Sequence, residues 1–179
     1  AELVALPIDI NVVPALNRRK RLLIADMDST MIEQECIDEL GVMAGIGEHI
    51  KAITARAMRG ELDFEGALTE RVKLLKGLDA GIIDTILRER ISFMAGGRTL
   101  IATMKANGAH TALVSGGFTF FTEKLREQLG FKQTQANTLE IIDGKLTGRV
   151  LGDIVDGAAK AAYLDAACAR LGCTKANAM

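Results

Sequence analysis

Asp26 and Asp28 stand two residues apart at the end of an apolar run, Leu22 to Ala25, and two hydroxyls follow them, Ser29 and Thr30. The run reads as a buried strand of a parallel sheet. Ligands of open α/β sheets sit beyond the carboxyl ends of the strands. Unpaired buried charge is costly, so a strand that delivers two carboxylates there points to a cation site or to a reacting carboxylate. Alternate residues of an extended segment share a side, so Asp26 and Asp28 can address one group. A carboxylate can act as a covalent nucleophile and form an aspartyl-phosphate. A second carboxyl beside it could protonate the leaving oxygen and then deprotonate the attacking water. Two anions meeting a phosphate demand a cation, and an all-oxygen site of this kind suits Mg²⁺.

Two further elements fit that chemistry. Ser115-Gly116-Gly117 follows the apolar run Thr111 to Val114. A hydroxyl and an unhindered backbone N–H at a strand end can grip phosphate oxygens, and a following helix N-terminus adds positive potential. Lys160 sits among Gly157, Ala158, Ala159, Ala161 and Ala162. A lysine in so small and apolar a neighbourhood is expected to face a charge partner, such as Asp26 with a phosphate. Each element has a plainer reading. Two acids can close a strand-end turn, Ser-Gly-Gly can be a simple turn, and Lys160 can be a surface residue. The order of the three along the chain favours the site.

The elements that must position these residues can be read from periodicity. After the first strand, residues 32 to 92 carry helix signals only. Ile37, Leu40, Met43 and Ala44 share a helical face, Ile46 to Met58 and Phe64 to Leu75 repeat that period around a break at Arg59-Gly60, and Leu78 to Ile91 gives a further helix. Gly97 to Asn107 reads as a helix closed by Gly108, and Phe118 to Leu129 as one closed by Gly130. Between them the Thr111 strand and its Gly-rich turn complete a βαβ unit. Ile141-Ile142-Asp143-Gly144-Lys145-Leu146, inside residues 138 to 151, signals a hairpin, and Ala158 to Leu171 a last amphipathic helix. The expected organisation is an N-terminal arm or linker over 1–17, an α/β core over 18–31 and 93–179, and a small helical cap over 32–92 inserted after the first strand.

Composition narrows the function classes. With 179 residues, 49% of them apolar, the chain can build one sizeable core and a small accessory unit. Lys+Arg 22 against Asp+Glu 23 gives a net charge of -1, which offers no global attraction to nucleic acid or an anionic membrane. Arg18-Arg19-Lys20-Arg21 reads as a solvated lead-in to the first strand. No apolar run approaches the roughly 18 residues of a spanning helix, and the start lacks the layout of a secretory signal. Cys36, Cys168 and Cys173 form no Cys-x-x-Cys and read as reduced thiols used in packing, which points to a cytoplasmic protein. His49 and His110 are expected to have no catalytic role. No Gly-x-x-x-x-Gly-Lys-Ser/Thr is present, which argues against a nucleotide-binding loop.

Taken in order, the motifs resemble those of the haloacid dehalogenase superfamily of phosphatases: Asp-x-Asp-Ser-Thr after a strand, Ser-Gly-Gly after a second strand, and a lone Lys before a helix. Residues 26 to 40, 53 to 65, 71 to 75, 114 to 118 and 143 to 148 bring the resemblance closer, to the phosphoserine phosphatases within that superfamily. The resemblance implies a Rossmann-like core with a parallel sheet and a helical cap. It also implies Mg²⁺-dependent hydrolysis of O-phosphoserine to serine and phosphate, the last step of serine biosynthesis, through an aspartyl-phosphate. By the same resemblance Asp26 is the nucleophile and Asp28 the general acid/base. The Asp26 carboxylate and the Asp28 backbone carbonyl ligate Mg²⁺. Ser115, Gly116 and Lys160 hold the phosphoryl group, Glu35 faces the substrate ammonium, Arg71 its carboxylate, and Met58 and Phe64 close an apolar lid. Read from the residues alone, Glu35 and Arg71 could equally be an exposed helix pair, and Met58 and Phe64 core residues. A dimer is one expectation for the assembly.

The superfamily's fourth motif, a strand followed by Gly-Asp-Gly-x-Asn-Asp that completes the metal site, has no counterpart here. The third metal ligand is therefore expected beyond residue 179, the sheet incomplete on that side, and the Asp26 strand left with an exposed apolar edge. The 179 residues by themselves are expected to bind Mg²⁺ poorly and to turn over little phosphate. Two alternatives stay open: a superfamily phosphatase for another small phosphomonoester, and an inactive module that only binds phosphate or a partner.

Overall fold

The computed structural model describes residues 11–179. Its centre is a four-stranded sheet in the order β1 (Leu22–Ala25), β2 (His110–Phe118), β3 (Gln133–Ile142), β4 (Lys145–Leu151). β1, β2 and β3 run parallel, and β4 returns antiparallel. The return is a two-residue turn at Asp143-Gly144, both with positive φ, which suits the right-handed twist of the paired strands.

Among the described residues, seven α-helices surround the sheet. Helices α1 (Cys36–Met43), α2 (Gly47–Met58), α3 (Phe64–Lys73) and α4 (Gly81–Glu89) all fall between β1 and β2, followed by α5 (Gly97–Ala106). α6 (Thr119–Leu125) runs on into a π-helical turn over Arg126–Gly130, and α7 (Gly157–Arg170) follows β4. The first four helices leave and re-enter the sheet region through paired segments, since Ile32 and Phe93 form an antiparallel bridge. One apolar cluster runs from Leu23 and Leu113 in the sheet to Ile50, Leu68 and Ile83 in those helices. The four helices are therefore packed onto the core rather than tethered to it.

Two expectations change on contact with the structure. Ser115-Gly116-Gly117 does not form a turn; β2 continues through it to Phe118, with an irregular register against β3 between Val114 and Phe118. Neither glycine has a positive φ. Their value is close approach. A Cβ on Gly116 would lie 2.7 Å from the Phe64 ring, and one on Gly117 would lie 2.6 Å from the Met27 methyl and 2.8 Å from Asp28 Oδ2. The second change concerns the free edge of β1. Ile24 N–H donates to the Met179 carbonyl at 2.9 Å, Met179 N–H to the Leu22 carbonyl at 3.0 Å, and Leu22 pairs with Ala178 in parallel. The last residues thus already occupy the edge that was expected to be bare.

The basic run is a largely solvent-exposed lead-in to β1, and three of its side chains also find partners on other segments. Arg21 donates from Nη1 to the Gly172 carbonyl at 3.1 Å and from Nη2 to the Leu171 carbonyl at 2.9 Å, closing the C-terminal end of α7. Lys20 reaches the Ala176 carbonyl at 2.8 Å, and Arg19 the Asn107 side chain at 2.7 Å. Of the expected arm over 1–17, residues 1–10 lie outside the described residues, and Val12 and Leu16 are exposed. Among the described residues no helix is long and apolar enough to cross a membrane.

Candidate active site

β1 ends at Ala25, and the chain turns at once. Met27 is fully buried, and its carbonyl accepts from the N–H groups of Thr30, Met31 and Ile32 at 3.2, 2.9 and 3.1 Å. Burying Met27 sends its two neighbours to the other side, which is the alternation expected of Asp26 and Asp28. They enter a cavity of about 160 Å³ lined by Asp26, Asp28, Glu35, Ile37, Phe64, Leu68, Arg71, Ser115, Gly116, Gly117, Phe118 and Lys160. A larger cavity of about 630 Å³ lies between α3 and the β4–α7 connection, but it holds neither Asp26 nor Asp28.

Asp26 forms an ion pair through Oδ2 with Lys160, and its Oδ1 accepts from the Met27 N–H at 2.8 Å. Lys160 reaches it from the first turn of α7, whose start is fixed by Asp156: the side chain accepts from the Ala159 N–H at 2.8 Å. Small residues around Lys160 leave the ammonium one close anionic partner, as the sequence suggested.

Asp28 has a different environment. Its Oδ1 accepts from the backbone N–H of Cys36, the first residue of α1, at 3.3 Å. A carboxylate eight residues upstream therefore takes one of the unpaired N–H groups that begin that helix. Burial pushes the Asp28 carboxyl up to about 6; the Cys36 hydrogen bonds oppose this, and the charges of Glu35 and Asp26 add to it. Asp28 is thus poised near neutrality while Asp26 is ion-paired, and environments that separate two carboxyls suit them to different tasks.

Glu35 lines the same cavity and holds the Ser29 hydroxyl at 2.6 Å. Arg71, in the last turn of α3, is braced by Nε on the Ala67 carbonyl at 3.1 Å and by Nη1 near the Thr54 hydroxyl at 3.5 Å. Burial lowers its guanidinium from the ordinary value, and the carboxylates of Asp38 and Glu35 oppose that. It stays charged, because arginine does not deprotonate in proteins. Ser115 is fully buried, with its hydroxyl oxygen accepting from the Gly117 N–H at 2.9 Å. Phe64 begins α3 and lays its ring on Gly116.

Met58 is the expected lining residue that the structure does not bring in. It is the last residue of α2, on a different helix from Phe64, and is 85% exposed and absent from the cavity wall. Neither it nor Phe64, 44% exposed, is a core residue. The residue that sequence reading missed is Asn137. It is buried, its Nδ2 donates to the Gly116 carbonyl at 2.8 Å, and its Oδ1 accepts from the Val155 N–H at 2.8 Å. It ties the Ser-Gly segment to the approach of α7. Asn137→Ala strands a buried donor and a buried acceptor and is expected to cost roughly 2–4 kcal/mol; urea denaturation of the variant measures it.

The sequence and the fold both have relatives. The haloacid dehalogenase-like hydrolase family model matches residues 23–175. A phosphoserine phosphatase of Streptomyces coelicolor is 52% identical over 165 residues, which cover 91% of this chain and 40% of that protein. One of a Polaromonas species is 43% identical over 164 residues, covering 89% of this chain and 70% of that protein. A solved structure of a phospho-aspartyl intermediate analogue of phosphoserine phosphatase superposes with a TM-score of 0.82 at 38% identity, over 89% of this chain and 76% of that one. The chain thus spans less than half of the Streptomyces relative. With its Asp-x-Asp strand, its Ser-Gly segment and its lysine gathered on one cavity, the chain belongs to the haloacid dehalogenase-like hydrolases.

Proposed function

We propose that this protein hydrolyses O-phosphoserine to serine and phosphate through a phosphoryl group carried transiently on Asp26. The observation that carries the reading is the pairing of a nucleophile-ready Asp26, held by Lys160, with an Asp28 whose carboxyl titrates near neutrality. In this mechanism Asp26 attacks phosphorus in line while Asp28 gives its proton to the departing serine oxygen. Asp28, now ionised, then takes a proton from the water that attacks the aspartyl-phosphate. Lys160, the Ser115 hydroxyl and the Gly116 N–H hold the equatorial phosphoryl oxygens, whose charge is greatest in the transition state.

The polar residues on the insertion suit a zwitterionic substrate. Glu35 provides a fixed anion for an ammonium, and Arg71 a planar fork for a carboxylate. A 160 Å³ space suits a small metabolite rather than a protein substrate. Helices α1–α4 serve as a cap, with Phe64 rather than Met58 as its cover over Gly116; the cover limits water to the one that reacts.

A divalent cation fits the residues present. Asp26 and Asp28 set two carboxylates on one small cavity, and the charges of Glu35 and Asp26 add to the rise that burial causes in Asp28. Among the described residues no cluster of three or more metal-binding side chains exists. Mg²⁺ would be held by the Asp26 carboxylate and the Asp28 carbonyl, with waters and phosphate oxygens filling the shell, as this ion prefers. When bound it offsets phosphoryl charge.

Trapping tests the reading. Beryllium fluoride with Mg²⁺, or acid quenching after radiolabelled phosphoserine, should mark Asp26; no mark on Asp26 would leave only a phosphate-binding module. Substrate choice has its own test. Arg71→Ala should raise KM for phosphoserine roughly 10²-fold and leave a carboxylate-free aryl phosphate nearly unchanged. Equal losses on both substrates would point to another small phosphomonoester.

A further inference from the structure

The C-terminal end of α7 lies at the far end of the helix from Lys160, and it holds two cysteines that the mechanism does not use. The helix closes on Gly172, at φ +56°. Cys173 N–H donates to the Cys168 carbonyl at 3.0 Å, and Gly172 N–H to the Ala169 carbonyl at 3.2 Å. That double closure brings the side chains of the residues at its two ends, here Cys168 and Cys173, together. The 3.0 Å hydrogen bond alone limits their Cα–Cα separation to about 7 Å, against a disulfide range of about 4.4–6.8 Å. Both residues pack in one apolar cluster with Leu22 of β1 and with Ala178. Cys168 is buried and Cys173 is partly exposed. Burial pushes the Cys168 thiol above its ordinary value.

We propose that Cys168 and Cys173 are a reversible oxidation site that closes to an intrachain disulfide with a low-molecular-weight disulfide as oxidant. The more accessible Cys173, as thiolate, attacks one sulfur of the oxidant; a mixed disulfide forms and one small thiolate leaves. Cys168 then loses its proton and attacks the Cys173 sulfur, and the second small thiolate leaves. Both cysteines are oxidised, the oxidant is reduced to two thiols, and both protein protons pass to them. The new bond fastens the last turn of α7 to the segment that leads to Ala178 and Met179, which pair with β1. Cys36 is fully buried beside Asp28 and takes no part.

Tryptic mapping decides the matter, because cleavage after Arg170 puts the two cysteines on different peptides. The folded protein is incubated with oxidised glutathione, alkylated and digested without reductant. The expected product is the Ala161–Arg170 peptide joined to the Leu171–Lys175 peptide, two hydrogens lighter than the pair, and separated again by dithiothreitol. Cys168→Ser should stop at a glutathione adduct on Cys173, and Cys36→Ser should leave the cross-link unchanged. Separately alkylated Cys168 and Cys173 in the wild-type chain would overturn the proposal, as would a glutathione adduct on Cys173 that never passes to Cys168. The wild-type peptide map distinguishes these outcomes even if the Cys168 variant does not fold.

Discussion

Asp26→Asn is expected to remove turnover of phosphoserine by a factor on the order of 10⁴ or more while leaving the fold nearly as stable as before. The two halves of this result must be measured together. An amide of the same shape cannot accept a phosphoryl group, so no covalent intermediate forms and the acid-quenched protein carries no label. The stability half follows from exposure. The Asp26 and Lys160 side chains are 42% and 33% accessible, so their ion pair lies in well-solvated surroundings. Pairs of that kind contribute about 0–1 kcal/mol, and the midpoint of urea unfolding should hardly move. A variant that loses activity because it unfolds would show the reverse pattern. Full turnover by Asp26→Asn would rule out the aspartyl-phosphate route.

Asp28→Asn is expected to slow the reaction by about 10²–10⁴-fold and, without metal, to make the protein more stable at neutral pH. The sign comes from the carboxyl's titration. In the folded protein it titrates at about 6, against an ordinary value of 3.8, with burial as the main cause. The folded state therefore binds the proton more tightly than the unfolded chain does. The stability that this provides is complete below pH 4 and is lost as pH rises through about 6. An amide never has to carry that buried charge, and its oxygen can still accept from the Cys36 N–H. In urea titrations with a chelator present, wild type and Asp28→Asn should nearly coincide at pH 4. They should diverge to about 1–3 kcal/mol above pH 7. A gap of constant size across that range would show that Asp28 does not ionise with this displaced value.

Much of the site was legible because its logic is local. Alternation around Met27 follows from strand geometry, and the small residues beside Lys160 announce that the lysine has a partner. Helices α1 to α4 could be read from apolar spacing because each hides one face against a shared core. What stayed hidden depends on approach through space. Asn137 sits in Gln133–Asn137, a polar stretch with no strand signal that nonetheless pairs with β2. Glycines at 116 and 117 look like a turn in a one-dimensional reading, yet they are there because an aromatic ring, a methionine and a carboxylate crowd them. The family resemblance implied a lid role for Met58 and its apolar character a core one, but the helix ends there and the side chain points to water. The partners of Arg19, Lys20 and Arg21 could not be read from spacing, because they lie far along the chain, at Asn107, Ala176 and Leu171–Gly172.

The bond between Asp28 and the first turn of α1 joins two events that are usually treated apart. A carboxylate accepts from a backbone N–H more strongly than a carboxylic acid does, so every change in the proton on Asp28 changes the grip on the helix that follows Glu35. In the proposed cycle the hold on α1 is therefore firmest when Asp28 has given up its proton, and weaker when the proton returns.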